Sequence, residues 1–286
     1  MPLYRRTDSR PSVDPVLVVQ LDGWIDAGLG GATAMASLLE GGTEGPVAVF
    51  DADELIDYRA RRPTVRIQDG MNQGLTWPQP RLLLSTDREG RDMLLLVGPE
   101  PDMRWGAFVS EVVSLAVELG VRMSVGLGAF PAPVPHTRPV RLATTTTEES
   151  LAARIGFVAG DIEVPANIEA ALEIAFREAG IPAVGLWARV PHYVAALPFP
   201  AASAALINGL ASVANLSLDT SGLETAADVA GRRVDDLIAN SQEHQDMIAQ
   251  LESTVDSNEG TPMNLREIPS GDEIAAELQR FLRDQD

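Results

Sequence analysis

The chain has 286 residues, of which 45% are hydrophobic and 22% charged, so it can bury the core of one large domain or of one domain with a smaller appendage. Its 41 acidic residues outnumber its 22 basic ones and leave a net charge of −19. Because such a surface repels phosphate backbones and anionic lipid headgroups, we expect neither a nucleic-acid partner nor a membrane partner.

Two residue types are missing, and their absence excludes several kinds of chemistry. The chain has no cysteine, so it forms no disulfide, thiolate metal site or cysteine nucleophile. All 22 basic residues are arginine, which rules out Schiff-base catalysis and the lysine of a phosphate-binding loop. With only three scattered histidines, His136, His192 and His244, we expect no metal and no other cofactor.

The sequence predicts a cytoplasmic protein. The first 15 residues are polar and contain prolines, unlike a secretory signal. The most apolar stretch, Ala204–Leu218, is interrupted by two asparagines and a glycine and is too short to span a bilayer.

Short apolar runs predict strands that are buried on both faces. They are Val16–Leu21, Val47–Phe50, Leu82–Leu84, Met93–Val97, Val121–Leu127 and Ala183–Val190. Two segments, 105–119 and 168–179, have apolar residues at helical spacing. Each is followed by a glycine that ends the predicted helix, and Asp102 is predicted to cap the first one. Strands that alternate with helices predict an α/β fold with a mostly parallel central sheet.

The C-terminal part of the chain predicts helices. Ser221 and Glu224 form a capping box, after which apolar residues recur at alternating spacings of four and three from Leu223 to Val255. Such a pattern is a heptad seam. A second capping box at 270–273 predicts a final helix.

The seam has two interpretations, packing on the α/β core or contact with another subunit or partner. In either case the sequence pattern changes near residue 220, from strands that alternate with helices to helices alone. We predict an α/β core domain at residues 1–219 and a helical extension at residues 220–286.

Candidate binding residues follow the strands, because ligands of open α/β sheets gather at the carboxyl ends of strands. Two segments share one plan of helix, glycine, strand and Val-Pro-His, so parallel strands would bring their histidines to the same edge of the sheet. The candidate residues are Asp26, Gly28, Trp77, Glu100, His136, Arg138, His192 and Tyr193.

Each of these features also has a structural interpretation. The glycines at 23, 28, 30 and 31 can cradle a phosphate at a helix N-terminus, but Asp22 and Asp26 would repel it, which favours a tight turn. Together with Asp51 and Asp53 these aspartates match no calcium loop, which favours a solvated acidic rim. The two Val-Pro-His histidines are either an acid–base pair or turn residues that bond to carbonyl groups.

Five motifs carry a resemblance to a known family. They are Gly23–Gly28, Gly70–Trp77, Gly98–Trp105, Val134–Pro139 and Leu186–Val194, and they resemble actinobacterial members of the proteasome assembly chaperone 2 family in the same order. The resemblance covers about residues 14 to 260. It implies a three-layer α/β core similar to that of nucleoside phosphorylases and hydrolases, a helical C-terminal extension, and self-association, expected as a trimer.

Two functions are compatible with these observations. The first is a non-enzymatic, homo-oligomeric interaction protein that resembles proteasome assembly chaperones and binds a protein such as a proteasome component. The second is a binding protein or enzyme for a nucleoside- or phosphate-like molecule, in which Trp77 stacks on a base and Arg138 pairs with a phosphate. We expect the first, because it needs no catalytic residues and the chain has no Gly-x-Ser-x-Gly nucleophile elbow.

The absence of lysine also has two explanations. GC-rich codon usage favours arginine, alanine and glycine over lysine, and all three are plentiful here. Alternatively, the absence protects the protein, because degradation tags in proteasome-bearing bacteria are attached through lysine amines.

Overall fold

The computed structural model describes residues 2–148, 157–159, 161, 163–239, 241–257 and 263–264. The strands are β1 Tyr4–Arg6, β2 Val16–Asp22, β3 Gly45–Phe50, β4 Thr64–Gln68, β5 Met71–Thr76, β6 Arg81–Thr86, β7 Asp92–Pro99, β8 Met123–Ala132, β9 Leu142–Thr146, β10 Val158–Ala159, β11 Ala183–Pro191 and β12 Met263–Asn264. The helices are α1 Gly30–Glu40, α2 Ala52–Leu55, α3 Trp105–Glu118, α4 Ile168–Glu178, α5 Pro200–Ala214, α6 Ser221–Ala239 and α7 Gln242–Ser257, with 3-10 turns at Ala27–Leu29 and His192–Val194.

Eight strands form one mixed sheet in the order β1-β3-β6-β7-β2-β8-β11-β9. Strand β2 lies between β7 and β8 and pairs in parallel with both. The pairs β1–β3, β3–β6, β6–β7 and β9–β11 are antiparallel. The predicted α/β fold is therefore confirmed, with parallel pairing at the centre of the sheet and antiparallel pairing toward both of its ends. Each of the six predicted apolar runs lies within one of these strands or overlaps it.

The first of two compact units comprises Met1–Trp24, Leu38–Gly126 and Ala166–Ala183. Helices α3 and α4 pack against each other in this unit, and their apolar side chains join those of β2, β6 and β7 in one core. Phe108 of α3 is fully buried, and its ring centroid lies 4.8 Å from that of Phe50. Burial of a phenylalanine side chain contributes about 1.5–3 kcal/mol, so this contact adds to the stability of the unit's core.

Both predicted helices end as expected, but one predicted cap is wrong. Gly120 and Gly180 have φ angles of +69° and +73°, the left-handed conformation that glycine adopts at helix ends. The N-cap of α3 is Arg104 and not Asp102. Asp102 lies two residues before that position, and its carboxylate instead accepts a hydrogen bond from the Asp57 N–H at 2.8 Å.

The second unit comprises Ile25–Ser37, Leu127–Pro165 and Val184–Asp286. Helix α5 contacts β9 and packs along α6, and α6 contacts α7. Gly209 allows the close contact between α5 and the sheet, because a Cβ atom there would lie 2.5 Å from Leu142 Cδ1. None of the helices given above has both the length and the apolar composition needed to cross a bilayer.

The predicted heptad seam is divided between two helices, α6 and α7. On α6, Leu223, Val234 and Ile238 are buried, whereas the seam position Leu237 is 39% exposed. The exposure of Leu237 and the burial of Ile238 thus depart from the predicted seam, whereas Leu223 and Val234 agree with it. The side chain that pairs with Glu224 is Thr220, at 2.6 Å, and not Ser221 as predicted. The predicted final helix at 270–282 lies outside the described residues.

Candidate functional site

His136 and Tyr193 form the centre of a hydrogen-bond network in the second unit. The loop after β8 carries His136, and the 3-10 turn after β11 carries Tyr193. The Tyr193 hydroxyl accepts a hydrogen bond from the His136 backbone N–H at 2.8 Å and lies 2.8 Å from the imidazole Nδ1. Tyr193 is fully buried, and this burial raises the pKa of its hydroxyl above the usual value.

Helix α6 supplies the partner of the other imidazole nitrogen. Nε2 of His136 lies 3.0 Å from Oδ1 of Asp235, whose side chain is 63% exposed. One proton arrangement satisfies all of these contacts: Nε2–H donates to Asp235, and the tyrosine O–H donates to Nδ1. The imidazole is therefore bonded on both sides to groups of the same chain.

Arg138 joins the same loop to helix α7. Its Nε and Nη2 donate to the two carboxylate oxygens of Asp256 at 2.9 and 2.8 Å, a bidentate arrangement. Its Nη1 donates to Glu252 at 3.0 Å, and Thr137 also bonds to that carboxylate. The hydrogen bond from Arg138 lowers the pKa of Asp256.

His192 lies on the other side of Tyr193. Its ring centroid is 5.4 Å from the tyrosine ring, and the His136 centroid is 5.9 Å from the same ring. His192 is 4% exposed, and its Nδ1 lies 3.3 Å from the carbonyl oxygen of Ala132. The structure thus brings both histidines to one tyrosine. His192 lies near a carbonyl oxygen, as in the structural interpretation, whereas the ring of His136 bonds to a hydroxyl and a carboxylate.

The glycine-rich turn after β2 is occupied by a carboxylate of the chain itself. Asp26 accepts hydrogen bonds from the N–H groups of Gly31 and Ala32, in the first turn of α1, at 2.8 and 2.9 Å. Gly28 has a φ angle of +63°, and a Cβ atom there would lie 2.7 Å from the Cβ of Phe199. Asp26 therefore takes the position that a phosphate would need at this helix N-terminus.

The other aspartates of the predicted acidic rim also have local partners. Asp51 caps α2 by accepting from the Asp53 N–H at 3.1 Å, and Asp53 accepts from the Tyr58 hydroxyl at 2.7 Å. Among the described residues there is no group of three or more histidine, aspartate and glutamate side chains that could hold a metal ion.

Glu100 has a structural environment in the first unit. Its carboxylate accepts a hydrogen bond at 2.6 Å from the N–H of Ile168, the first residue of α4, and the residue is 7% exposed. Arg61 donates to the backbone carbonyls of Glu100 and Asp22 at 2.8 and 2.9 Å. Glu100 therefore stabilises the N-terminus of a helix, where a negative charge is favourable.

Trp77 lines an open groove of the first unit. The groove has a volume of about 730 Å³ and lies at the carboxyl ends of β2 and β7, where Asp22 and Gly98 line it. Arg61 and Arg81 line it as well. Trp77 is 46% exposed, and its ring centroid lies 4.9 Å from that of Tyr58 in an edge-to-face arrangement. Among the predicted site residues, Trp77 is thus available to a ligand.

The sequence alone does not identify the partners that occupy the predicted site. Asp235, Glu252 and Asp256 lie between 99 and 118 residues from the loop residues they bind. Glu252 and Asp256 are four residues apart, so they share one face of α7. The four-residue spacing predicts two carboxylates on one face of a helix, but nothing in the sequence indicates that they bind Arg138.

The fold and the site together define an α/β protein whose strand-end polar residues bond to its own helices. The chain belongs to the PAC2 family, whose profile matches residues 20–238. No curated protein is significantly similar to it.

Solved structures of several proteins are similar to this chain over most of its length. A protein of unknown function from Corynebacterium glutamicum is 32% identical with a TM-score of 0.84, covering 90% of this chain and 98% of that one. A PAC2 family protein from Streptomyces avermitilis is 38% identical with a TM-score of 0.71, covering 82% and 100%. A proteasome-assembly chaperone homologue from Mycobacterium tuberculosis is 33% identical with a TM-score of 0.75, covering 82% and 99%.

Proposed function

We propose that this chain is a cytoplasmic, homo-oligomeric interaction protein, a trimer, that binds a component of the proteasome system without catalysing a reaction. Its similarity to the proteasome-assembly chaperone homologue supports a chaperone-like role. In this proposal residues 1–219 form a three-layer core similar to that of nucleoside phosphorylases and hydrolases, and residues 220–286 are a helical extension.

This proposal rests on the observation that the polar atoms of His136 and Arg138 are already bonded to other groups of the same chain. A general acid or base needs a nitrogen or oxygen atom of its own that can lie within hydrogen-bond distance of the substrate. Here both ring nitrogens of His136 are bonded to Tyr193 and Asp235, and the guanidinium of Arg138 faces two carboxylates. These residues hold the C-terminal helices in place, which is the work expected of them in a binding protein.

A reconstitution experiment tests the proposed partner. Purified α and β subunits of an actinobacterial proteasome core particle are mixed with or without this chain, and the complexes are followed by native mass spectrometry. We expect a complex of the chain with unassembled subunits and faster appearance of the complete particle. An unrelated acidic protein at the same concentration is the control, and equal behaviour of the two would refute the proposal.

A second candidate function is the binding of a small molecule in the groove beside Trp77. The groove supports it, because a half-exposed tryptophan and two arginines line it at the carboxyl ends of two parallel strands. An aromatic ring and guanidinium groups suit a nucleotide or another anionic aromatic molecule. This function would use neither of the two histidines near Tyr193.

A thermal-shift screen with nucleosides, nucleotides and sugar phosphates tests the groove. A ligand at a hundredfold its Kd adds about 2.7 kcal/mol of apparent stability. The shift should disappear in Trp77→Ala and persist in Trp24→Ala, which removes another exposed tryptophan that does not line the groove. A screen in which no compound shifts the parent protein removes this candidate.

A further inference from the structure

The hairpin β4–β5, residues 64–76, is an arm with a sheet of its own. Its two strands pair only with each other among the described residues. Asp69 and Gly70 connect them with φ angles of +51° and +79°, the conformation of a tight two-residue hairpin turn. Every residue of the arm is exposed. An isolated two-stranded hairpin is marginally stable in water, so an arm of this kind gains stability from a covering surface.

One face of the arm is apolar. Val65 lies opposite Leu75 in the register, and Ile67 follows Val65 by two residues, which places these three on one side. Trp77 follows Leu75 by two residues, just beyond the end of β5. The exposed fractions of Val65, Leu75, Ile67 and Trp77 are 42%, 53%, 61% and 46%. Contiguous apolar surface of this kind on a folded protein marks a site of association.

The segment that leads into the arm is basic, whereas the rest of the molecule is acidic. The hairpin itself has one arginine and one aspartate, Arg66 and Asp69, but residues 59–76 as a whole contain four arginines and one aspartate, a net charge of +3, and the remaining residues sum to −22. Arg59, Arg62 and Arg66 are exposed. The arm and this basic segment together therefore complement a surface that is both acidic and partly apolar, and a second copy of this chain has the required charge.

We propose that the arm docks on the acidic body of a second copy of this chain. The proposal rests on the homo-oligomer proposed above and names its contact surface. Because a basic and apolar surface meets an acidic one, the two contacting surfaces differ, and such a heterologous contact forms a closed ring when its rotation closes. A three-fold rotation gives the trimer proposed above.

Sedimentation of the full chain tests the arm, with a control variant matched in residue type and exposure. Ile67 and Ile174 are both 61% exposed, and both belong to the first unit. We expect Ile67→Asp to weaken self-association at least tenfold and Ile174→Asp to leave it unchanged. Circular dichroism checks that both variants are folded, and Ile67→Thr, which keeps a β-branched side chain, repeats the test if the aspartate variant unfolds.

The outcomes separate this inference from the proposed function. If the parent protein is oligomeric and its Ile67 variants associate as tightly as the parent, the proposed docking of the arm is wrong and the proposed homo-oligomer is retained. A parent that is monomeric at tens of micromolar would overturn both.

A second measurement identifies what the arm touches. A photoreactive amino acid placed at position 67 of the purified chain should yield a covalent dimer with an attachment point in an acidic segment. The same amino acid at position 174 should yield none. Association should also weaken as salt is added, because Arg59, Arg62 and Arg66 contribute to it. A crosslink confined to the chain that carries the probe would contradict docking on a second copy.

Discussion

Arg138 and Asp256 are joined by two parallel hydrogen bonds of 2.9 and 2.8 Å, which connect the loop after β8 to the last turns of α7. This pair lies beside the contacts of His136 with Tyr193 and Asp235. Together they attach the two C-terminal helices to a strand-end loop of the same unit. His136 and Arg138, which resemble ligand-site residues in the sequence, therefore position α6 and α7.

The first prediction concerns the bidentate pair. Arg138→Lys keeps the charge but loses the planar fork, so amide hydrogen exchange in α7 should become faster, by up to roughly fivefold, as expected for a partly exposed ion pair. Arg232→Lys, on an exposed position of α6, is the control and should change nothing. Equal protection of α7 in all three proteins would contradict the attachment.

The same pair predicts an acid dependence. Arg138 lowers the pKa of Asp256 in the folded protein, so the pair stabilises the fold above the carboxyl's ordinary pKa and loses this effect as pH falls through the lowered value. The protection factors of the α7 amides, which are corrected for the pH dependence of intrinsic exchange, should therefore fall below about pH 4. In Asp256→Asn this loss of protection should be smaller, and hydrogen exchange across a pH series measures it.

The buried tyrosine hydroxyl gives a stability prediction. Tyr193→Phe removes the acceptor of the His136 N–H and leaves a buried polar group without its partner, which should cost about 1–3 kcal/mol in the free energy of unfolding. Tyr58→Phe is the control, because its exposed hydroxyl bonds to Asp53, and the change should stay within about 0.5 kcal/mol. Urea denaturation of both variants measures the difference.

The carboxylate at the glycine-rich turn predicts a gain of anion binding. Asp26→Ala removes the acceptor of two N–H groups in the first turn of α1 and should destabilise the protein by about 1 kcal/mol. Inorganic phosphate should recover part of this loss in the variant, because the vacated helix N-terminus attracts an anion. Phosphate should have little effect on the parent, and thermal unfolding with and without phosphate tests both statements.

A close contact in the second unit predicts a coupled pair of substitutions. Trp187 lies over Gly128 so closely that a Cβ atom at position 128 would overlap its ring. Gly128→Ala should therefore cost about 1–3 kcal/mol through overpacking. In a Trp187→Leu background the same change should cost less, and a double-mutant cycle of unfolding free energies measures the coupling.

The strand pairing shows which features of the sheet are encoded in the local sequence. Apolar runs such as Met93–Val97 identify buried strands because burial on both faces leaves no polar alternation. The antiparallel pairing of β6 with β7 is also encoded locally, since only five residues connect them and a parallel crossover needs a dozen or more. The break between α6 and α7 is not marked by the apolar spacing, which continues from Leu223 to Val255. The exposure of Leu237 depends on which neighbouring elements cover α6.

The sequence by itself determined the α/β class, six of the eight strands in the large sheet and the two glycine-ended helices. These features depend on hydrophobic period and on backbone conformations that one residue type favours. The family was indicated by the resemblance of five motifs. Only the tertiary structure decided what the polar residues do. Whether a histidine or an arginine is free for a ligand depends on carboxylates about a hundred residues away, such as Asp235 and Asp256, and local sequence carries no record of contacts that long-range packing creates.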